Sequence, residues 1–368
     1  MLKNRITTKT EISEKKIEIN YPNAIVNEID VELYKRSIDP KMAVNLLLNG
    51  KFVLIIDFYS SGLIILNELK IQLFKKYKNQ SFQEQRKFRS VYKDCSNRLL
   101  LIVKNHQLLV KKAPEIGWFT IFYPELSEFL LPFPQVQGLN SSWQWYKKGI
   151  EIPVLNQKIH PYYGTYFPTR FDHLKLFDNW LKKYKGDKKT AIDIGIGCGV
   201  LSFLLLKHGF KKVYGTDSNP NAIIGLKTAI KESDLNSKIE LFYGDLFSNC
   251  NETTELIVFN PPWIPASHNL EGIDQAIYYD SELFPRFFEE AAKHLNKDGK
   301  IVLLFSNLAQ ITKLDELNPI EYELATGNRF QKELLLQKDV ALASKKTKRN
   351  QSWRGTEKVE LWVLKKIN

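Results

Sequence analysis

Residues 191–200 read Ala191-Ile-Asp-Ile-Gly-Ile-Gly-Cys-Gly-Val200, and the order in which apolar residues give way to glycines decides the fold. Polar Asp187-Lys-Lys-Thr190 comes first. The apolar run behind it is bounded by glycines rather than by polar alternation, which predicts a buried parallel strand. Gly195, Gly197 and Gly199 follow at two-residue spacing. Val200-Leu-Ser-Phe-Leu-Leu-Leu-Lys-His208 then has the apolar content of a helix, with Gly209 placed as its C-cap. Strand, tight glycine turn and helix together let backbone approach a nucleotide with no Cβ in the way. A ligand-free core turn can look the same, so the neighbouring segments must decide.

Lys212-Val-Tyr-Gly-Thr-Asp217 is a second strand ending in a carboxylate, 217 − 195 = 22 positions after the first glycine. That distance suits a bidentate grip on ribose hydroxyls. Asn219 and Pro220 supply an N-cap and first-turn proline for a helix over Asn221 to Glu232. A third strand, Ile239-Glu-Leu-Phe-Tyr-Gly-Asp245, ends in another acid, suited to an adenine amino group. A fourth, Glu255-Leu-Ile-Val-Phe259, runs straight into Asn260-Pro-Pro-Trp263. Four strand ends thus bring polar groups to the carboxyl edge of one sheet, where open α/β sheets bind ligands.

On these residues, the stretch 188–307 resembles the class I S-adenosylmethionine-dependent methyltransferases. The resemblance implies a Rossmann-like α/β fold with a seven-stranded sheet whose last strand is antiparallel, and S-adenosyl-L-methionine as cofactor. It places Asp193, Gly195, Gly197, Gly199, Asp217, Asp245 and Asn260 in the cofactor set, with Asp217 at the ribose and Asp245 at the adenine. Asn260-Pro261-Pro262-Trp263 is similar to the Asn-Pro-Pro-aromatic motif of enzymes that methylate planar nitrogens: base amines of adenine or guanine, or the glutamine amide. Its wording is nearest the HemK-type glutamine methyltransferases, which act on translation release factors. Tyr166-Phe167-Pro168-Thr169-Arg170 resembles the Pro-Arg segment those enzymes carry beside the methionine moiety. Phe167, Pro168, Thr169, Arg170 and Trp263 are accordingly the candidate substrate-binding residues. The alternative for residues 166–170 is an ordinary proline turn leading into a helix over Asp172 to Lys185.

Methyl transfer from a sulfonium is an in-line displacement, so the acceptor nitrogen must sit about 3 Å from the methyl carbon. An amide or aromatic amine is a weak nucleophile because its lone pair is delocalised. The Asn260 side-chain oxygen and the Pro261 carbonyl can accept its N–H groups and stabilise the growing positive charge. Pro261 and Pro262 fix φ and so aim that carbonyl, and Trp263 offers a flat face for a base or an amide. No general base stands out. His160 and His173 read as satisfied surface or core residues.

At 368 residues the chain predicts two domains: a smaller mixed α/β domain at 1–148 for substrate recognition, and the methyltransferase domain at 149–368, reached through a hinge over residues 149–170. The mixed first domain departs from the compact helical one expected of HemK-type enzymes. With 43% hydrophobic and 26% charged residues the composition is globular, and Asp57, Asn67 and Glu68 interrupt the most apolar region well short of a membrane span. Charged residues at the N-terminus argue against export. Cys95, Cys198 and Cys250 are isolated thiols without metal-ligand spacing, which points to a reducing, cytoplasmic setting and no metal. Of the net charge of +12, residues 1–150 carry 23 Lys+Arg against 14 Asp+Glu, or +9. That suggests RNA, a ribosomal particle or another acidic partner as the macromolecular acceptor, whereas the motif wording favours a protein glutamine. A Lys-rich surface with no such partner would show the same excess.

Several stretches complete the expectation. Basic residues between Lys75 and Arg98, among them Arg86, Lys87 and Arg89, interleave with Phe82, Phe88 and Tyr92. Such a pattern suits base stacking or a helix core. Gly117–Tyr123 reads as a strand, Pro132, Pro134 and Gly138 as loop, and Leu270–Tyr279 as a lid-like loop. Ile320–Leu324 and Val359–Leu364 read as the last two strands, joined by a basic connection with Lys345, Lys346, Lys348, Arg349, Trp353 and Arg354. Two other function classes remain. An NAD-dependent oxidoreductase would need its third glycine three positions after the second, whereas Gly197 and Gly199 are two apart. A catalytically inactive RNA- or ribosome-binding module would have no use for intact Asn260 and Asp217.

Overall fold

The computed structural model describes residues 17–77, 82–233, 235–266, 278–312, 314, 317–340 and 356–367. The proposed lid, apart from Tyr278 and Tyr279, and the basic connection from Lys345 to Arg354 lie outside the described residues, as do the side chains of Phe82 and Arg86. Contacts divide the chain into two units, Tyr21–Lys147 and a larger one of Lys148 onwards together with the described residues 17–20.

In the smaller unit the order is β1 (Val31–Tyr34), α1 (Pro40–Leu48), β2 (Phe52–Ile55), α2 (Tyr59–Lys76), α3 (Phe82–Ser96), β3 (Leu99–Lys104), β4 (Gln107–Leu108), α4 (Trp118–Phe122), β5 (Glu128–Pro132) and α5 (Phe133–Lys148). Strands β1, β2 and β3 pair in parallel, while β4 and β5 both run antiparallel to β3. Asp39 caps α1 by accepting from the Lys41 backbone N–H, with Pro40 in the first turn, where its missing donor costs nothing. Two expectations are corrected. Gly117–Tyr123 is helical because Trp118, Phe119 and Phe122 are all buried, a spacing that one helical face satisfies and a strand does not. Pro132 and Pro134 lie at a strand end and a helix start, not in loop; Phe133, Val136 and Leu139 form the buried stripe of α5.

In the larger unit a hairpin, β6 (Ile150–Ile152) and β7 (Gln157–Ile159), precedes α6 (Asp172–Lys183). The series β8 (Thr190–Ile194), α7 (Val200–Lys207), β9 (Lys212–Asp217), α8 (Pro220–Glu232), β10 (Ile239–Tyr243) and β11 (Thr254–Phe259) follows. Next come β12 (Ile264–Pro265), β13 (Tyr278–Tyr279), α9 (Leu283–His294), β14 (Leu295–Ser306), α10 (Leu308–Ile311), α11 (Pro319–Thr326), β15 (Phe330–Asp339) and β16 (Lys358–Lys366). Seven of these strands form one sheet in the order β10-β9-β8-β11-β14-β16-β15. The pairs from β10 to β14 are parallel, and β16 is antiparallel to both neighbours. The last strand in sequence is therefore the antiparallel one, as the resemblance implies. Ile320–Leu324, expected as the sixth strand, lies instead in α11. Asn318 accepts from the Ile320 backbone N–H and Pro319 follows it, the same helix start as Asn219-Pro220. The sixth strand is β15.

Successive residues of the central strands feed opposite faces of the sheet. Ala191 and Val258 pack with Phe177, Leu181 and Leu204 under α6 and α7, and Ile192 and Ile257 pack with Phe284, Phe287 and Phe288 of α9. Both faces are thus covered, which is why apolar residues stand at successive positions in β8 and β11, at Ala191-Ile192 and Leu256–Phe259, rather than alternating with polar ones. Strand order reverses beside β8, with β9 on one side and β11 on the other, and that switch point opens a crevice at the carboxyl ends.

Candidate functional site

At the end of β8 the chain turns through Gly195, Gly197 and Gly199 with φ of +64°, +52° and +81°, the left-handed region that glycine alone enters freely. The three glycines differ in what surrounds them. A Cβ on Gly195 would have Phe259 at 3.6 Å, and one on Gly197 would have the Tyr166 carbonyl oxygen at 3.5 Å. A Cβ on Gly199 would strike Leu226 at 2.8 Å and Phe203 at 3.1 Å. Gly199 is therefore demanded by packing of α7 against α8, and the ligand-side backbone is that of Gly195 and Gly197.

Asp217, at the end of β9, holds this turn from the side. One carboxylate oxygen accepts from the Gly197 N–H and the other from the Asn219 N–H, both at 2.8 Å. Each oxygen keeps a second lone pair. Burial raises the Asp217 carboxyl to about 6, against the pull of these two backbone donors. Asp193, one residue before the end of β8, is 1% exposed. Its Oδ2 accepts from the Ser202 hydroxyl at 2.6 Å, and its Oδ1 is buried with no partner. Burial carries its carboxyl up to about 7, opposed by the Ser202 donors. Asp245 follows β10 as an exposed residue whose carboxylate pairs with Arg286 of α9, so the acid expected at the adenine is already engaged on one oxygen.

The segment before α6 is strapped over the same edge. Asn219 Nδ2 donates to the Gly164 carbonyl at 2.8 Å, and Asn221 Nδ2 donates to the Tyr163 carbonyl at 2.9 Å. Asn221 also exchanges bonds with the backbone of Asn20, tying down the chain beside buried Ile17. The strap brings the Tyr166 carbonyl oxygen to 3.5 Å from where a Gly197 Cβ would lie, so the segment runs beside the glycine turn. Phe167 packs on the core, Pro168 is buried and Thr169 is exposed. Arg170 is spoken for: its guanidinium donates to Glu357 at 2.9 Å, a carboxylate only 4% exposed.

Across the crevice, β11 registers Phe259 against Ile194, so Asn260 emerges beside Gly195. Its Oδ1 is buried and has no hydrogen-bond partner. Pro261 behind it is buried, and Trp263 is half-buried. The indole Nε1 donates to the Leu304 carbonyl near the end of β14 at 3.2 Å, fixing the ring. Against Trp263 stands His173 of α6, its ring perpendicular at 89° with centroids 5.5 Å apart. His173 is buried as expected of a core residue, but it is not satisfied: its Nδ1 has no partner. Sequence gave no warning of this, since the contact joins positions ninety apart on unrelated elements (263 − 173 = 90). Among the described residues, no group of three or more His, Cys, Asp or Glu is placed to hold a metal ion, and no helix is long and apolar enough to cross a membrane.

Comparison with known proteins identifies the family. The family model described as the methyltransferase small domain matches residues 172–330. A Methanocaldococcus jannaschii protein, provisionally named a protein N5-glutamine methyltransferase, is 31% identical over 189 residues, 49% of this chain and 91% of that protein. The ribosomal protein L11 methyltransferase of Thermosipho africanus is 29% identical over 132 residues, 36% of this chain. The release factor glutamine methyltransferase of Buchnera aphidicola is 32% identical over 104 residues, 28% of this chain. The chain spans only 43% and 36% of these two bacterial proteins. A crystal structure of the L11 methylase from Lactobacillus delbrueckii subsp. bulgaricus superposes with a TM-score of 0.39 at 21% identity, covering 58% of this chain and 87% of that one; the strand order, not that likeness, carries the fold. Open backbone at Gly195 and Gly197, a braced carboxylate on Asp217 and the orphaned Asp193 Oδ1 fit a ligand with ribose hydroxyls and a cationic amino acid end. The chain belongs to the methyltransferase small-domain family of class I enzymes, and S-adenosylmethionine is its cofactor.

Proposed function

We propose that the protein methylates the side-chain amide nitrogen of a glutamine in a protein acceptor. The observation that carries this reading is Asn260: a buried, unpartnered carbonyl oxygen at the sheet's switch point, beside the glycine turn and held by two prolines. An unpaired buried acceptor costs roughly 1–3 kcal/mol, and an incoming N–H would relieve that cost. S-adenosylmethionine, when bound, supplies an electrophilic methyl group on a sulfonium.

The chain's own residues do the rest. Asp217 presents its two remaining lone pairs to ribose hydroxyls, and Asp193 Oδ1 accepts from the ligand's ammonium group. The left-handed turn at Gly195 and Gly197 brings backbone close. Asn260 Oδ1 and the Pro261 carbonyl accept the two N–H groups of the acceptor amide. They orient its nitrogen and gain strength as positive charge develops there.

A second acceptor, the exocyclic amine of an RNA base, is favoured by one observation, the +9 charge of residues 1–150. Such an amine has the same two N–H groups to offer Asn260. Incubation with methyl-tritiated cofactor and lysate, followed by separate protease and ribonuclease digestion, separates the two. The glutamine reading requires label released by protease as N5-methylglutamine. Label released only by ribonuclease overturns it in favour of RNA.

A further inference from the structure

A glutamine amide offers two N–H groups and one carbonyl oxygen, and Asn260 with Pro261 answers only the N–H groups. The oxygen needs a donor. Beyond the Asn260 amide itself, the nearest side chain in sequence with an N–H is Trp263, but that N–H is committed to the Leu304 carbonyl at 3.2 Å. The side chain packed on the Trp263 ring is His173, 3% exposed, with a buried Nδ1 that has no partner. A phenylalanine would fill the same perpendicular slot and leave no polar atom unpaired. We propose that His173 donates a ring N–H to the carbonyl oxygen of the acceptor amide and so selects a carboxamide over an amine lacking that oxygen. This rests on the glutamine reading above.

The protonation state agrees. Burial pushes His173 down to about 4, with the neighbouring Asp172 opposing it, so the imidazole is neutral at physiological pH. A neutral imidazole has one donor and one acceptor nitrogen, and the tautomer with hydrogen on Nδ1 is the one a carbonyl would choose. His173 is anchored for the task on the first turn of α6. The flanking Asp172 is held by Lys338 at 3.0 Å, and Arg170 is held by Glu357.

Two variants test this on the protease-sensitive acceptor fraction. His173→Phe keeps a ring against Trp263 and removes the donor; His173→Gln keeps a donor and removes the ring. Cofactor affinity by calorimetry should be unchanged in both. For His173→Phe, kcat/KM for the acceptor should fall roughly ten- to a hundredfold, mostly through KM, as for loss of one buried hydrogen bond. His173→Gln should recover part of that loss. Equal kcat/KM in His173→Phe and wild type overturns the proposal and would mean the ring acts by shape alone; an equal fall in both variants overturns it as well, because a retained donor would then have recovered nothing. A probe independent of folding is the imidazole 15N resonance of His173 in the intact protein titrated with N-acetylglutamine methylamide. A shift of the donor nitrogen supports the contact, and an unmoved resonance at every soluble concentration overturns it. Asn260→Ala, run alongside, keeps the two readings apart. Full turnover in that variant removes the glutamine reading and this proposal with it, whereas a dead Asn260→Ala beside an unaffected His173→Phe removes this proposal alone.

Discussion

The two sides of the crevice are built on opposite plans. On the β8–β9 side most of the polar atoms at the site are braced from within, Asp217 by two backbone N–H groups, Asp193 Oδ2 by Ser202 and Asn219 by the Gly164 carbonyl, with Asp193 Oδ1 and Thr216 Oγ1 the exceptions. On the β11 side the polar atoms that matter are left bare, Asn260 Oδ1 and His173 Nδ1. A braced site holds its shape in the absence of ligand and binds with little reorganisation. Bare atoms cost stability until a partner arrives, and they discriminate sharply, because a partner that leaves them unpaired is penalised. The contrast suits an enzyme with one constant cofactor and one acceptor to be chosen among many.

Asn260→Ala should produce the largest effect and the cleanest separation of the two sides. Alanine cannot accept a hydrogen bond, so single-turnover methyl transfer should fall by a factor on the order of 10²–10³, while cofactor titration stays near wild type. Asn260→Asp should retain more activity than Ala. Turnover at the wild-type rate in Asn260→Ala would mean the bare oxygen has no catalytic partner.

On the braced side, Asp217→Ala removes two charge-assisted bonds to ribose, each worth roughly 1.5–3 kcal/mol. It also frees the Gly197 and Asn219 N–H groups that the carboxylate holds in place. Calorimetry should show S-adenosylmethionine weakened tenfold or more. Wild-type affinity would remove Asp217 from the cofactor site and leave it a turn brace only.

How much of this contrast could be read before the structure follows from the range of the interactions. The braced side is local: Thr190 to Asp217 is one strand–turn–helix–strand unit, and its spacing is visible in the sequence. Val359–Leu364 was equally legible as an apolar run, and β16 is antiparallel where the resemblance puts it. Ile320–Leu324 failed because short apolar runs do not distinguish helix from strand, and the signal that did, Asn318-Pro319, lay just outside the run. In the smaller unit, Pro134 reads as loop in isolation, although a proline in the first turn of a helix is cheap. The bare side was half legible. Asn260-Pro-Pro-Trp263 stands in the sequence, but its companion His173 and the Leu304 carbonyl come from distant elements. The ion pair of Arg170 was hidden for the same reason, since its partner Glu357 lies 187 positions away.

Asp193 sharpens the comparison through pH. Its carboxyl sits near 4 in an unfolded chain and is raised to about 7 here by burial. A raised acid favours the protonated native state. Its contribution to stability is therefore complete below about pH 4 and is lost as pH rises through about 7. Asp193→Asn cannot ionise, so without cofactor its melting temperature should match wild type near pH 4 and exceed it by several degrees at pH 8, at roughly 2–4 °C per kcal/mol. Parallel melting curves across that range would show that Asp193 titrates normally and that its orphaned oxygen is reached by water. Added cofactor should narrow the gap at pH 8, because wild type gains the ion pair that Asn lacks.

The smallest effect divides the braced side against itself. Gly197 and Gly199 share a left-handed φ, +52° and +81°, so alanine at either incurs a similar backbone cost, roughly 1–2 kcal/mol. They differ in what the new methyl meets. At Gly199 it strikes Leu226 at 2.8 Å and Phe203 at 3.1 Å, inside the α7–α8 packing. At Gly197 the nearest atom is the Tyr166 carbonyl oxygen at 3.5 Å, ordinary contact distance. Gly199→Ala should therefore lower the melting temperature by a few degrees more than Gly197→Ala. Cofactor affinity should change in the opposite order, since only at Gly197 does the methyl intrude where backbone is left open. Thermal melts and cofactor titrations on the two single variants suffice to check this. If Gly199→Ala is the one that loses the cofactor while Gly197→Ala binds normally, the open face of the turn has been placed on the wrong glycine, and the ligand lies nearer α8 than β11.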